Sequence, residues 1–137
     1  MAAQATKEGI REMMDACFLD NATPEDKEVI LFSNDEAIVI GTVNADLTEI
    51  TTNGGEKVTL TKANWTASTD ADPVVSVYNS GTGVVFSFTG ALTVFGYAIK
   101  GVTSDLIYGA ENFGEQTYAN GQSLTLEPLS ISLDITP

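Results

Sequence analysis

Side chains able to do chemistry are scarce in this sequence of 137 residues. Histidine is absent and Cys17 is the single cysteine. Ser-His and Cys-His nucleophilic sites are therefore excluded, an intrachain disulfide is impossible, and a zinc or other transition-metal site is not expected. Glycine motifs of the P-loop or dinucleotide-binding type do not occur either. We therefore assign no catalytic, cofactor-binding or metal-binding residue.

Acidic residues remain as a source of catalytic groups, because two carboxylates can hydrolyse a glycosidic bond. Most of the 19 Asp and Glu residues lie in turns or beside Thr and Ser, as solvated surface residues do. Asp70 and Asp72 lie two residues apart in the loop 68–73, but a calcium loop needs about six oxygen ligands at set positions. Pro73 and an apolar run follow at once. We expect no enzyme activity, no cofactor and no metal.

Aromatic residues offer a third kind of chemistry, the stacking of sugar rings. Trp65 is the only tryptophan and lies where a predicted strand ends, which is typical of an anchor in the core or at its rim. A carbohydrate-binding module is nevertheless an alternative function, from a different class. Its stacking residues would be Trp65, Tyr78, Phe113 and Tyr118.

The charge of the chain is strongly one-sided, with 6 basic against 19 acidic residues and a formal net charge of −13. A basic surface is needed to contact phosphates, so binding to nucleic acids or to anionic membranes is not expected. Such a charge favours solubility and association with basic protein partners. No apolar run approaches the roughly 20 residues of a membrane span.

The N-terminal segment predicts a short helix and no secretion signal. Residues 1–5 are a small polar arm, and 1–14 lack a basic–apolar–small signal pattern. An apolar stripe at helical spacing follows, which predicts a helix over 6–19 that packs through one face. The stripe consists of Ile10, Met13, Met14, Cys17 and Phe18.

The rest of the chain reads as short strands separated by turns rich in Asn, Asp, Ser and Gly. The first two strands are expected to pair as a hairpin, and 92–99, apolar on both faces, is expected to be central. Phe86 is expected to face the core, and 111–120 to form a polar loop. The predicted strands are 28–32, 37–43, 47–51, 58–65, 73–78, 84–89, 92–99, 106–110 and 124–136.

The last of these strands carries a defect in its alternation. Apolar residues have even numbers up to Leu126 and odd numbers from Leu129, and Pro128 lies at the switch. A one-residue slip would turn every later side chain over, so we predict one long strand that bends there. With about nine short strands after one helix, the sequence predicts an all-β fold: a single antiparallel β-sandwich domain over 1–137, with strands within 27–136. A jelly roll is preferred over an immunoglobulin-like sandwich, because paired cysteines are missing.

Several stretches resemble small virion proteins of tailed bacteriophages. The opening ATKEGIREMMDACF (5–18) is similar to their short first helix. Closer to the end, FTGALTVFGYA (88–98), LIYGAENF (106–113) and NGQSLTL (120–126) are similar to their closing strands. The chain departs from many relatives at its first strand, where it has EVILFS (28–33) in place of an aromatic run.

The resemblance implies a jelly-roll-like sandwich that assembles on the virion and has no catalytic site. One expectation is a capsid cement (decoration) protein, made in the host cytoplasm, that bridges and stabilises major capsid protein subunits on the outer capsid surface. The alternative within the same family is a tail, neck or fibre-attachment protein. The partners would be the major capsid protein or tail and neck proteins, and a homo-oligomer, either dimer or trimer, is expected.

Overall fold

Antiparallel β-strands make up the regular structure of the part of the chain that the computed structural model describes. That part comprises residues 26–39, 41–61, 64–65, 74–78, 83–126 and 129–133. All strand pairs there are antiparallel, and apart from a 3₁₀ turn at Asn44–Asp46 and Asn64 these residues contain no helix. The prediction of an all-β chain is confirmed. The predicted arm 1–5, helix 6–19 and loop 68–73 lie outside the described residues.

Eight strands are present in these residues. Their bounds are β1 Lys27–Phe32, β2 Val58–Leu60, β3 Val74–Tyr78, β4 Val84–Ser87, β5 Leu92–Gly101, β6 Ile107–Tyr118, β7 Ser123–Leu126 and β8 Leu129–Leu133.

The chain separates into two compact units. The larger unit comprises Glu25–Leu60 and Val84–Leu126, and the smaller unit Met1–Pro24, Thr61–Gly83 and Glu127–Pro137. Strands β3 and β8 belong to the smaller unit, and the other six belong to the larger one. The prediction of a single domain over 1–137 stays a prediction.

The larger unit is built on a four-stranded sheet in the order β2-β1-β5-β6. Strand β1 is buried along its whole length, and it pairs with β2 on one side and β5 on the other. Strand β5 lies between β1 and β6, so its predicted central position is confirmed. On one face of β5, Val94, Gly96 and Ala98 are buried, whereas Phe95 and Tyr97 on the other face are half-buried.

One face of this sheet holds a hydrophobic cluster. Ile30 and Phe32 lie opposite Ala98 and Gly96 in the register of β1 and β5. Gly96 is required here, because a Cβ at this position would overlap the Phe32 ring and the carbonyl oxygen of Glu111. The aromatic ring thus packs directly on backbone, which a larger residue would prevent.

A second ladder of the larger unit pairs β4 with β7. Val84 and Phe86 are buried whereas Val85 and Ser87 are exposed, so the predicted inward face of this strand is confirmed. The predicted turn at Asn53 and Gly54 is also present: both have positive φ (56° and 82°). The Thr52 carbonyl accepts a hydrogen bond from Gly55 N at 3.0 Å, as in a tight hairpin-type turn.

In the smaller unit, β3 pairs with β8 from Val74 opposite Leu133 to Tyr78 opposite Leu129. Trp65 forms an isolated bridge with Tyr78. The predicted strand 58–65 is therefore too long, since β2 ends at Leu60.

The predicted hairpin of 28–32 with 37–43 is wrong. Residues 37–39 and 41–43 are not in a strand. One side of β1 is occupied by β5. The other side is occupied by β2 at Lys27–Val29 and, beyond it, by residues 48–50, through the Phe32–Glu49 bridge and the hydrogen bond from Ile50 N to the Leu31 carbonyl, which leaves no edge for a hairpin partner. The predicted strand 47–51 is reduced to a single bridge between Glu49 and Phe32. Local β-propensity is thus overridden by long-range pairing.

Two further boundaries differ from prediction. The segment 111–118, predicted as a polar loop, continues β6 because β5 supplies a long edge for it. The segment 124–136, predicted as one bent strand, contains two strands: β7 pairs with β4, whereas β8 pairs with β3. The predicted bend at Pro128 lies outside the described residues.

Candidate functional site

The most unusual chemical feature of the larger unit is a group of charged side chains, three of them partly or fully buried, at one end of the four-stranded sheet. Glu28 on β1 lies directly opposite Lys100 on β5, and only 2% and 6% of their side chains are exposed. Lys57, Glu49 and Asp105 complete this ion cluster. The β5–β6 turn carries Asp105, and Glu49 is positioned by its bridge with Phe32.

The distances show that each carboxylate oxygen of Glu28 has a cationic neighbour. Lys100 Nζ lies 3.4 Å from Oε1, and Lys57 Nζ lies 3.4 Å from Oε2. Glu28 Oε1 is ion-paired with Lys100, but among the described residues it accepts no well-aligned hydrogen bond. At this oxygen the Glu28 carboxylate is therefore stabilised by the positive charge of Lys100 rather than by a hydrogen bond.

Lys100 is the centre of the cluster. Its Nζ lies 3.4 Å from Glu28 and from Asp105, and 3.9 Å from Glu49. Burial by itself would lower the pKa of Lys100, but the negative charges of Glu49, Asp105 and Glu28 outweigh it and the pKa is raised. Lys100 is therefore protonated at neutral pH, when an amine cannot act as a nucleophile.

A shallow open cavity of about 210 Å³ lies beside the cluster. It is lined by Glu49, Ile50, Thr51, Glu56 and Lys57, so two members of the ion cluster form part of its wall. Acidic and basic side chains face each other in it. Among the described residues, no aromatic ring lines it and no reactive pair of groups is brought together there.

Lys27, the neighbour of Glu28, is also buried, and its ammonium lies 5.1 Å from the centroid of the Tyr108 ring. This distance is within the range of a cation–π contact. All three lysines of the larger unit are thus engaged by an ion pair or a ring. Lys57 is the only exposed one of the three.

The exposed charge of the larger unit is consequently acidic. This unit has eleven Asp and Glu residues against three lysines, a net charge of −8. Two of the three lysines are withdrawn from the surface. Seven acidic residues are exposed: Asp26, Asp35, Asp46, Glu56, Asp105, Glu111 and Glu115.

Tyr97 is a further perturbed group on β5. Its neighbour across the ladder is Glu111 on β6. Burial, the charge of Glu111 and a hydrogen bond to it raise the pKa of Tyr97 to about 12. Each of these effects favours the neutral phenol, so the group is inert in proton transfer at neutral pH.

The aromatic residues considered for sugar stacking are not gathered on an open surface. Trp65 and Tyr78 are only 4% and 6% exposed, and they contact each other edge to face with centroids 5.3 Å apart. The Tyr78 hydroxyl accepts hydrogen bonds from Thr61 N and Asn64 Nδ2. In the larger unit, Tyr118 packs on Phe88 with centroids 4.5 Å apart. Trp65 has the anchor role predicted for it.

The ion cluster was not predicted from the sequence, although two signals of it are visible there. Glu28 directly precedes the apolar run VILF, and Lys100 follows directly on the apolar run LTVFGYAI. The predicted strand 92–99 ends just before Lys100, whereas β5 continues to Gly101 and includes it. A charge inside an apolar strand predicts a buried partner on a neighbouring strand.

Comparisons of the chain with protein-family models, with curated proteins and with solved structures found no match. Among the described residues, no helix is long and apolar enough to cross a membrane, and no group of three or more acidic or Cys side chains is arranged to hold a metal ion. The interpretation of the site therefore depends on its own geometry.

Proposed function

We propose that this chain is a structural virion protein, a capsid cement protein that binds the outer shell and bridges neighbouring major capsid protein subunits. Its resemblance to small tailed-phage virion proteins is the observation that carries the proposal. The stretches 92–98, 107–113 and 123–126, which bear much of that resemblance, lie in β5, β6 and β7. The similar residues are thus part of the folded framework.

The chemistry of the larger unit agrees with a binding role. Its buried charges are paired, and Lys100 is held in its protonated form. The exposed charge is acidic, which favours association with a basic surface through faster encounter and selection of partners. A stable contact with shell subunits would bury about 1,200–2,000 Å² in total.

The proposal includes the finer description of the fold. A jelly-roll-like sandwich is supported by the alternation of buried and exposed residues in β4 and by the several short antiparallel ladders. A helix over 6–19 is supported by the spacing of its apolar residues in the sequence. A homo-oligomer, dimer or trimer, on the capsid surface also belongs to this proposal.

The test is the copy number of the protein in purified particles, measured by quantitative mass spectrometry against the major capsid protein. We expect hundreds of copies, as for a component repeated over the whole shell. A value of about a dozen or fewer, typical of a cyclic ring, would replace cement by a tail or neck role. Absence from particles would refute a virion role.

A carbohydrate-binding module has less support from the geometry. Trp65 and Tyr78 are buried, so their ring faces are not available for a sugar. A glycan array that gave hits lost in a Tyr118→Ala variant would nevertheless favour that function over the virion role.

A further inference from the structure

The loop from residue 33 to 48, between β1 and the bridge at Glu49, combines a strand-like sequence with a structure in which its described residues, 33–39 and 41–48, belong to no strand. Its central segment 37–43 reads AIVIGTV, in which five of seven residues are β-branched. Such a composition is typical of strands. Val39 and Val43 are instead 62% and 54% exposed, among the highest values for large apolar residues of the described part.

The base of this loop is firmly held. The Asn34 side chain donates a hydrogen bond from Nδ2 to the Asp46 carbonyl at 2.8 Å, and its Oδ1 accepts one from Thr48 N at 2.7 Å. Ser33 N donates to the Thr48 carbonyl at 2.9 Å. The two ends of the loop are therefore closed against each other, as in an Ω-loop.

The loop is also tied to the sheet. Leu47 is part of the hydrophobic cluster with Ile30, and Ile38 packs against that cluster. Asn112 on β6 donates from Nδ2 to Asp35 Oδ1 at 2.9 Å and to the Glu36 carbonyl at 2.8 Å. Anchors on both sides of the tip thus fix where it is presented.

The tip has its own internal bonds. Thr42 N donates to the Val39 carbonyl at 3.0 Å, and Thr42 Oγ1 accepts a bond from Val39 N at 2.9 Å. Val43 N donates to Asp46 Oδ2 at 2.9 Å. Val39 and Val43 are therefore shown to solvent by a preformed turn, so that binding a partner costs little ordering of the chain.

The charges around the tip indicate which surface it fits. Asp35, Glu36 and Asp46 flank it, and the described part of the loop has no basic residue. A second copy would bring the same three acids against them, and like charges across an interface are unfavourable. A surface with an apolar groove and a rim of Lys and Arg complements both features.

We propose that the tip of the 33–48 loop, with Val39 and Val43 as its apolar anchors, docks into an apolar groove with a basic rim on a neighbouring shell subunit. This inference rests on the proposed function, because it assigns the contact by which the cement protein holds the capsid. Small apolar anchors on a rigid turn, surrounded by complementary charge, are a common form of interface core and rim.

The experiment measures binding to expanded capsids that lack the protein, by sedimentation with increasing amounts of the wild-type chain or of variants. The double variant Val39→Ser, Val43→Ser is expected to bind at least tenfold more weakly. The matched control is Val85→Ser, Val102→Ser, which changes two valines that are also exposed, at 46% and 42%. All proteins are first compared by circular dichroism and urea unfolding, and exposed positions should leave both unchanged.

The outcomes separate the loop from the function. Wild-type binding with a loss confined to the loop variant supports the inference. Equal binding by wild type, loop variant and control overturns the inference and leaves the cement function standing. Failure of the wild type to bind overturns the cement function and, with it, the inference.

Two further readouts test the nature of the partner surface. Binding through a basic rim weakens as salt increases, and Glu36→Gln should reduce this dependence. Binding that does not respond to salt would refute the basic rim. If the loop variant instead converts an oligomer of the isolated protein to monomers in analytical ultracentrifugation, a second copy occupies the tip and the inference is wrong.

Discussion

Removal of the Lys100 ammonium is the sharpest test of the ion cluster. Lys100 and Glu28 face each other across β1 and β5, 3.4 Å apart and both almost completely buried. The substitution Lys100→Met keeps an unbranched side chain of similar length and removes only the charge. Glu28 then retains Lys57 as its sole cationic neighbour in the cluster, with a side chain that is 55% exposed.

The size of the effect follows from these distances. Two unit charges 3.4 Å apart attract by about 5 kcal/mol at an effective dielectric constant of about 20. The desolvation of both groups offsets much of this attraction in the intact pair. When one partner is removed, the desolvation of the other is left uncompensated, so breaking a buried pair costs about 3–5 kcal/mol. We expect the lower end, about 3 kcal/mol, because Lys57 still neutralises part of the Glu28 charge.

The assay is urea unfolding followed by circular dichroism, and Lys57→Met provides the matched control. Lys57 lies at the same 3.4 Å from the same carboxylate but is exposed, so its loss should cost less than about 1 kcal/mol. The double variant Glu28→Leu, Lys100→Met removes both buried charges and should recover most of the loss. The comparison thus isolates burial as the cause.

The pH dependence supplies a second readout. Because the pKa of Lys100 is raised in the folded chain, its contribution is complete below the ordinary value of 10.5 and is lost as the pH rises through the folded value. The difference between wild type and Lys100→Met should therefore shrink in strongly alkaline solution. A cost below about 1 kcal/mol for Lys100→Met, or additive effects in the double variant, would refute this account of the cluster.

Three other substitutions test separate parts of the larger unit. Gly96→Ala should destabilise the fold by at least about 1–3 kcal/mol in urea unfolding, because the new methyl group overlaps the carbonyl oxygen of Glu111. An unchanged midpoint of urea unfolding would contradict the described packing. Phe86→Ala should cost about 3–5 kcal/mol and the exposed neighbour Val85→Ala under about 0.5 kcal/mol; equal costs would mean that the faces of β4 are misassigned. Tyr97 should titrate near pH 12 by phenolate absorbance, and its stabilising contribution, complete below pH 10, should be lost as the pH rises toward 12. Tyr97→Phe should abolish that loss and remove the phenolate transition near pH 12. If the transition missing from the Tyr97→Phe titration lies near pH 10 instead, the raised pKa of Tyr97 is contradicted.

Much of the strand content was predictable because burial on one or both faces leaves a clear pattern. In the run 84–88, Val84, Phe86 and Phe88 share one face, and this face is the buried one, as the sequence indicates. The run 92–99 is apolar on both faces and is central in the sheet, as expected. The turn at Asn53 and Gly54 was predictable because both residues tolerate positive φ.

Partner choice between strands was not predictable from local sequence. The segment 111–118 does not look like a strand in sequence, because it has polar residues and Gly114 at φ 87°. It is a strand because it pairs with β5. Register shifts at Val94–Gly96 and Ile99–Lys100 further interrupt its pattern. The predicted hairpin of 28–32 with 37–43 does not form, because β1 is paired on both sides by strands distant in sequence.

Two conflicts between local sequence and structure remain in the larger unit, and they have different meanings. Glu28 and Lys100 are charges in apolar strands, but each finds its partner within the chain, so the conflict is resolved by the fold itself. The segment 37–43 has apolar β-branched residues in a held but unpaired loop, and nothing among the described residues covers Val39 or Val43. Sequences normally agree with their fold at every level, and departures concentrate at functional sites. The ion cluster is therefore a matter of stability, whereas the loop tip is the place where the proposed partner would complete the burial.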